Sequence, residues 1–221
     1  MINDENYKKI KDDLDKKDIQ LIAVSKRKPI EDILSLYKLG HRDFGENRVQ
    51  ELTQKAPLLP EDIRWHFIGH LQSNKVKYIA PFVYMIHSVD KPKLLKEINK
   101  QSIKVNRKIK CLIQYHIAEE ENKFGFTHDE VLTMINSEVF SNIKNVEIHG
   151  LMAMATNTTE INKVRSEFNN LYRYYLDLKK SPIILDYFQI ISMGMSGDYE
   201  LAIEEGSNMV RLGSVIFGKR D

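Results

Sequence analysis

What the 221-residue sequence lacks is informative first. It has a single cysteine, Cys111, so no intramolecular disulfide is available. Set in the apolar alternation KIKCLIQY, that thiol reads as a small buried hydrophobe. No stretch approaches the roughly 18 apolar residues of a membrane span. The opening segment, MINDENYKKIKDDLDKK, is charged and has no apolar core of the kind a signal peptide needs. A cytoplasmic protein with no membrane partner is expected. Charge of one sign is also missing: Lys+Arg 33 against Asp+Glu 31 leaves +2, with no dense basic stripe, so no nucleic-acid partner is expected. Linkers and low-complexity stretches are absent too, and residues 1–221 are expected to form one domain.

What is present is an alternation of two periods. Short β-branched runs at 21–25, 42–45, 65–68, 84–88, 109–116, 147–153, 188–193 and 209–213 read as eight strands. Amphipathic segments at 29–39, 47–54, 91–101, 128–137, 161–178 and 198–205 read as helices between them, with a further helix over 6–17 outside the repeat. Strict alternation implies parallel pairing through right-handed crossovers. Eight units favour an α/β fold of the closed (β/α)8 TIM-type barrel with an extra N-terminal helix over an open doubly wound sheet. Pro29 suits a first helical turn, Thr127 an N-cap, and Gly40 a helix end.

Parallel barrels place their chemistry at the C-terminal ends of the strands. Lys26 directly continues the apolar run LIAVS. It is either a snorkelling lysine or a partly desolvated amine able to attack an aldehyde. Gly194, Ser196 and Gly197 follow strand seven and lead into a helix near Asp198, while Gly213 and Ser214 follow strand eight. Those are the two loops that hold phosphate in this barrel class, and their joint placement suits an anion. Arg211 shares a strand face with Gly213 and, pointing inward, needs a partner. An inward acid such as Glu46 or a ligand's ring nitrogen would serve. The histidines are less informative: His66 and His70 are four apart but straddle a strand end, which disfavours zinc. Met152, Met154, Met193 and Met195 are packing residues by default, although a thioether can also touch a flat ring. The acidic turn AEEENKFGF reads as a solvated loop.

The residues also carry a family resemblance. AVSK at 23–26, FGENRVQE at 44–51, WHFIGHLQSNK at 65–75, HSVD at 87–90, GLMAM at 150–154, SMGMSGDYELAIEEGS at 192–207 and VRLGSVIFGKR at 210–220 occur in fixed order. The chain resembles the YggS/PROSC group of pyridoxal 5'-phosphate (PLP) homeostasis proteins. That resemblance implies a barrel like the alanine racemase N-terminal domain, with PLP held as a Schiff base on Lys26. It implies Arg211 as partner of the pyridine nitrogen, Ser192, Met195, Ser196, Gly213 and Ser214 as the phosphate cradle, and Asn47, His70 and Met152 as lining residues. One departure is visible: QYHIAEEENKFG places His116 where the group commonly has asparagine.

An arginine facing the ring nitrogen makes the ring a poorer electron sink than an acidic partner would. Racemases of this barrel type use a second base from an additional domain, and two-base proton transfer needs groups on both faces of the substrate. With the chain ending at Asp221, the expectation is a monomeric, non-catalytic PLP carrier that could serve PLP-dependent apoenzymes. A small PLP-dependent amino-acid racemase is the alternative.

Overall fold

The computed structural model describes residues 4–120 and 124–218. Eight strands, β1 Gln20–Val24, β2 Asp43–Glu46, β3 Arg64–Phe67, β4 Met85–Val89, β5 Ile109–Gln114, β6 Val146–Met152, β7 Ile190–Ser192 and β8 Met209–Leu212, close into a barrel in sequence order. Every pairing is parallel, including β1 with β8, where Ile22 sits opposite Arg211. This is the eight-unit barrel that the alternation implies.

Helix α1 (Asp4–Lys16) precedes the repeat, as expected, and contacts the last helix, α10 (Ser214–Phe217). Between them come α2 Ile30–Lys38, α3 Val49–Lys55, α4 Val76–Ile79, α5 Pro92–Lys104, α6 His128–Ile135, α7 Glu138–Ser141, α8 Ile161–Lys179 and α9 Tyr199–Glu204. No described helix is long and apolar enough to cross a membrane. Thr127 caps α6 in a reciprocal box: its side chain accepts from the Glu130 N–H while Glu130 accepts from the Thr127 N–H. Pro29 stands at the α2 N-cap, just before the first helical turn.

Alternation along the strands divides the packing into two regions. Leu21, Ala23, Ile86, Cys111, Ile113, Leu151 and Val210 belong to the large core between sheet and helices. Their neighbours Ile22, Met85, Leu112, Met152 and Met209 form a second, small apolar cluster within the barrel. Five apolar side chains do not fill that interior. Asp43, His66, His87, Ser192 and Arg211 are also buried on the inward register. At β6, Gly150 is required: its φ is 155°, and an added Cβ would lie 1.8 Å from the Ile190 carbonyl oxygen.

Strand ends differ from expectation by a residue or two: β7 is shortened at both ends to Ile190–Ser192, and β5 stops at Gln114 instead of His116. Beyond it, the Tyr115 N–H still donates to the Met152 carbonyl at 2.8 Å, Tyr115 forms an isolated bridge with Phe126, and the His116 N–H donates to the Phe126 carbonyl at 3.0 Å. The crossover between β3 and β4 folds into a 3-10 turn over Ser73–Lys75 followed by α4, a short pair that its charged and polar sequence did not announce.

Candidate functional site

Lys26 is aimed by what lies behind it. The Ser25 N–H continues the ladder to the Gly45 carbonyl at 3.0 Å, and Ser25 Oγ donates to Glu46 Oε1 at 2.6 Å. Lys55 is buried and donates to the Ser25 carbonyl (2.9 Å), Glu46 Oε1 (2.8 Å) and Glu51 Oε1 (2.7 Å). Three donors meet three acceptors, which a buried ammonium requires. Glu51 also accepts from the Arg27 N–H at 2.5 Å, holding Arg27 in the left-handed region at φ 61°. Glu46 is therefore engaged by Lys55 and is not the acid that neutralises Arg211. Burial pushes its carboxyl above the usual range, and the hydrogen bonds from Lys55 and Ser25 offset this only in part.

Above this anchor lies a cavity of about 390 Å³ at the C-terminal mouth of the barrel. It brings together Lys26, Asn47, His70, Met195, Ser196, Arg211, Gly213 and Ser214, which come from the ends of β1, β2, β3, β7 and β8. Gly69 allows the β2 and β3 ends to converge: a Cβ there would meet the Asn47 carbonyl oxygen at 2.2 Å. His70 Nδ1 bonds Asp90 Oδ2 at 2.8 Å, which fixes the ring at the cavity wall.

The loops after β7 and β8 are stitched together by the Gly213 N–H, which donates to Ser196 Oγ at 3.2 Å. Asp198 folds back to accept from the Met195 N–H at 2.6 Å. The backbone N–H groups of Ser196, Gly197 and Ser214 have no acceptor among the described residues. With the Ser196 and Ser214 hydroxyls they make one wall of the cavity rich in donors, which suits an anion.

Arg211 forms the floor. It is 4% exposed, and its guanidinium donates to the Ser192 carbonyl (2.8 Å), Ser192 Oγ (2.7 Å) and the Ala153 carbonyl (3.0 Å). Among the described residues no carboxylate forms a salt bridge with it. Burial lowers its pKa to about 10, with Asp198 opposing the shift.

Two of the expected residues lie outside the cavity lining. Ser192 is fully buried and its hydroxyl faces Arg211 and His87, and Met152 belongs to the small apolar cluster beneath. Residues that sequence reasoning left out of the site also line it, including Gln114 and Phe124. Phe124 stacks on His70 with ring centroids 3.7 Å apart, and the Gln114 amide donates to its carbonyl at 2.8 Å. The one signal for Phe124 was an aromatic residue in an otherwise acidic turn; residues 121–123 of that turn lie outside the described residues, as do Lys219 and Arg220 of the last motif. His116 is turned to the Glu120 carbonyl at 3.0 Å and is absent from the lining.

A closed parallel barrel with a lysine at the end of its first strand and a donor-rich wall after its last two defines a barrel of the alanine racemase type. Residues 4–221 match the family model described as alanine racemase, N-terminal domain. Within that class, the chain belongs to the family of pyridoxal phosphate homeostasis proteins. It is 38% identical over 208 residues to the pyridoxal phosphate homeostasis protein of Vibrio alginolyticus, covering 92% of this chain and 87% of the relative. The Homo sapiens protein of the same name is 37% identical over 214 residues, covering 91% and 77%. Among solved structures, PipY of Synechococcus elongatus PCC7942 with PLP bound superposes with a TM-score of 0.82 at 32% identity, covering 91% of this chain and 93% of that one.

Proposed function

We propose that this protein binds PLP in the β-barrel mouth, holds its aldehyde carbon covalently on Lys26, and serves intracellular PLP homeostasis as a carrier. The observation that carries this reading is a single cavity combining a partly buried amine, a donor-rich wall and apolar faces. PLP is an aldehyde, a phosphate and a flat ring, and each part has a complement. The relatives' names and the PLP-bound PipY support the same reading.

In this reading the hydroxyls of Ser196 and Ser214 and the backbone N–H groups of Ser196, Gly197 and Ser214 receive the phosphate, with Met195 and Gly213 shaping the wall beside them. Asn47 and His70 flank the ring, and Arg211 offers an N–H to the ring nitrogen. Met152 and Ser192 support from beneath without contact. When bound, PLP supplies an electrophilic carbon conjugated to a ring that can accept electrons. An arginine donor leaves the ring nitrogen unprotonated and weakens that sink.

The relatives' names favour the carrier over the racemase. Two-face proton exchange on an amino acid needs a base on each side of the substrate. Among the described lining residues His70, oriented by Asp90 through Nδ1, is the imidazole that would have to serve beside Lys26. The protein is proposed to act in the cytoplasm as a monomer, with PLP-dependent apoenzymes as recipients. The test is to load the full chain with PLP, then offer an apoenzyme and, separately, single L-amino acids. Transfer to the apoenzyme without sustained D-isomer formation is expected. Sustained racemisation that Lys26→Ala abolishes would overturn the carrier reading.

A further inference from the structure

Beneath the cavity a chain of polar contacts crosses the barrel interior. Arg211 Nη1 donates to Ser192 Oγ at 2.7 Å, and Ser192 Oγ lies 3.4 Å from His87 Nδ1. His87 Nε2 lies 2.9 Å from His66 Nδ1, and His66 Nε2 lies 3.0 Å from Asp43 Oδ1. Five strands contribute, β8, β7, β4, β3 and β2 in that order. All five residues are buried, and Asp43 reaches Arg64 at the opposite end of the barrel, with contacts of 2.7 and 2.5 Å.

The two ends dictate the direction of the chain. A guanidinium only donates and a carboxylate only accepts. Asp43 therefore accepts a hydrogen bond from the His66 Nε2–H. Neutral His66 then presents a lone pair at Nδ1, which accepts from His87 Nε2. His87 Nδ1 is left bare and accepts from the Ser192 hydroxyl, whose oxygen accepts from Arg211. Every donor points from the cavity floor toward Asp43. A charged imidazole would put a second cation beside Arg211 in the same interior. Burial opposes this by lowering the affinity of both rings for a second proton, further for His87, where His66 and Arg211 add to the effect. At Asp43, burial raises the carboxyl, but hydrogen bonds from Arg64 and His66 outweigh it and keep the group ionised.

We propose that Asp43, His66 and His87 are positioning residues for Arg211, setting one tautomer at each imidazole so that Ser192 is held as an acceptor beneath the guanidinium. The floor of the cavity is thereby anchored to a carboxylate at the far end of the barrel. Arg211 would otherwise rest on backbone carbonyls alone. The effect on a ligand rests on the reading of the cavity as a PLP site, whereas the tautomers do not.

Nitrogen-resolved NMR of the histidines in the ligand-free full chain tests the chain directly at about pH 7. Expected is that His66 and His87 are both neutral and protonated at Nε2 alone. A charged ring, or a proton on Nδ1 of either, would overturn the proposed direction. His87→Phe then cuts the chain midway while leaving Lys26 in place. A roughly tenfold weaker PLP affinity is expected, the scale of one buried hydrogen bond lost, with a displaced absorption maximum of the bound chromophore. A folded variant with wild-type affinity and spectrum would overturn the positioning role. If His87→Phe does not fold, Ser192→Ala removes the same joint with little change of volume, and the same two outcomes decide. Absence of PLP binding by the wild type would overturn the cofactor reading instead, and the NMR result would still judge the chain.

Discussion

Lys55 Nζ lies 2.9 Å from the carbonyl oxygen of Ser25, the residue immediately before Lys26. A buried cation thus supports the peptide that aims the candidate tether, and Glu46 and Glu51 hold that cation in turn. Lys55→Met would leave Glu46, whose side chain is fully buried, without its charge partner. Breaking a buried pair from one side costs about 3–5 kcal/mol. Urea denaturation should show a loss of this order, and PLP affinity should fall even though Lys55 does not line the cavity. An unchanged midpoint would remove the anchoring role.

Acid should destabilise the fold well above the pH at which carboxylates titrate. His41 is buried, bonded to Tyr7 Oη and the Asp43 carbonyl, and burial lowers its pKa to about 4. His66 and His87 are lowered by burial as well. With folded pKa values below the unfolded value of about 6.5, the unfolded state binds more protons in the interval between, so stability is complete above it and is lost as pH falls through it. Between about pH 7 and about pH 5, His41 alone should remove about 2 kcal/mol, measurable as a falling denaturation midpoint. A flat profile over that range would contradict the neutral, buried assignment.

Gly69→Ala tests how tightly the cavity wall is built. Its Cβ would lie 2.2 Å from the Asn47 carbonyl oxygen and 2.8 Å from the Asn47 Cα, both backbone atoms that cannot swing aside. The β2 and β3 ends must separate, at about 1–3 kcal/mol. A lower melting temperature and weaker PLP binding are expected together, because Asn47 and His70 both line the cavity.

Thr127→Ala removes the side-chain half of the α6 capping box, the hydroxyl that accepts from the Glu130 N–H, and should cost about 1 kcal/mol. Because α6 lies away from the cavity lining, PLP affinity should stay within about twofold, a difference below the scale of one hydrogen bond.

The barrel was legible because period and order survive in the sequence: eight β-branched runs separated by amphipathic ones admit few topologies. Thr127 was legible for a local reason, a hydroxyl residue standing just before the helical run from His128, while its reciprocal bond with Glu130 came from the structure. Lys26 and the loops at 194–197 and 213–214 could be read because strand ends are where such a barrel does chemistry. The interior chain could not. His66 and His87 lie 21 residues apart on neighbouring strands, and only the inward register of β3 and β4 brings them together. The inward turn of the Ser192 hydroxyl was hidden for a related reason: whether a hydroxyl at a strand end points up or in depends on a register that one strand does not reveal. The stacking of Phe124 on His70 depends on a loop folding back across the barrel mouth, which carries no periodic signal.

The most direct test of the account is to add PLP to the full chain, reduce with borohydride, digest, and locate the modified residue by mass spectrometry. The account predicts a yellow protein whose colour is lost on reduction and a single pyridoxyl adduct on Lys26, absent from Lys26→Ala. A protein that stays colourless with added PLP, or an adduct on another lysine with Lys26 unmodified, would contradict it.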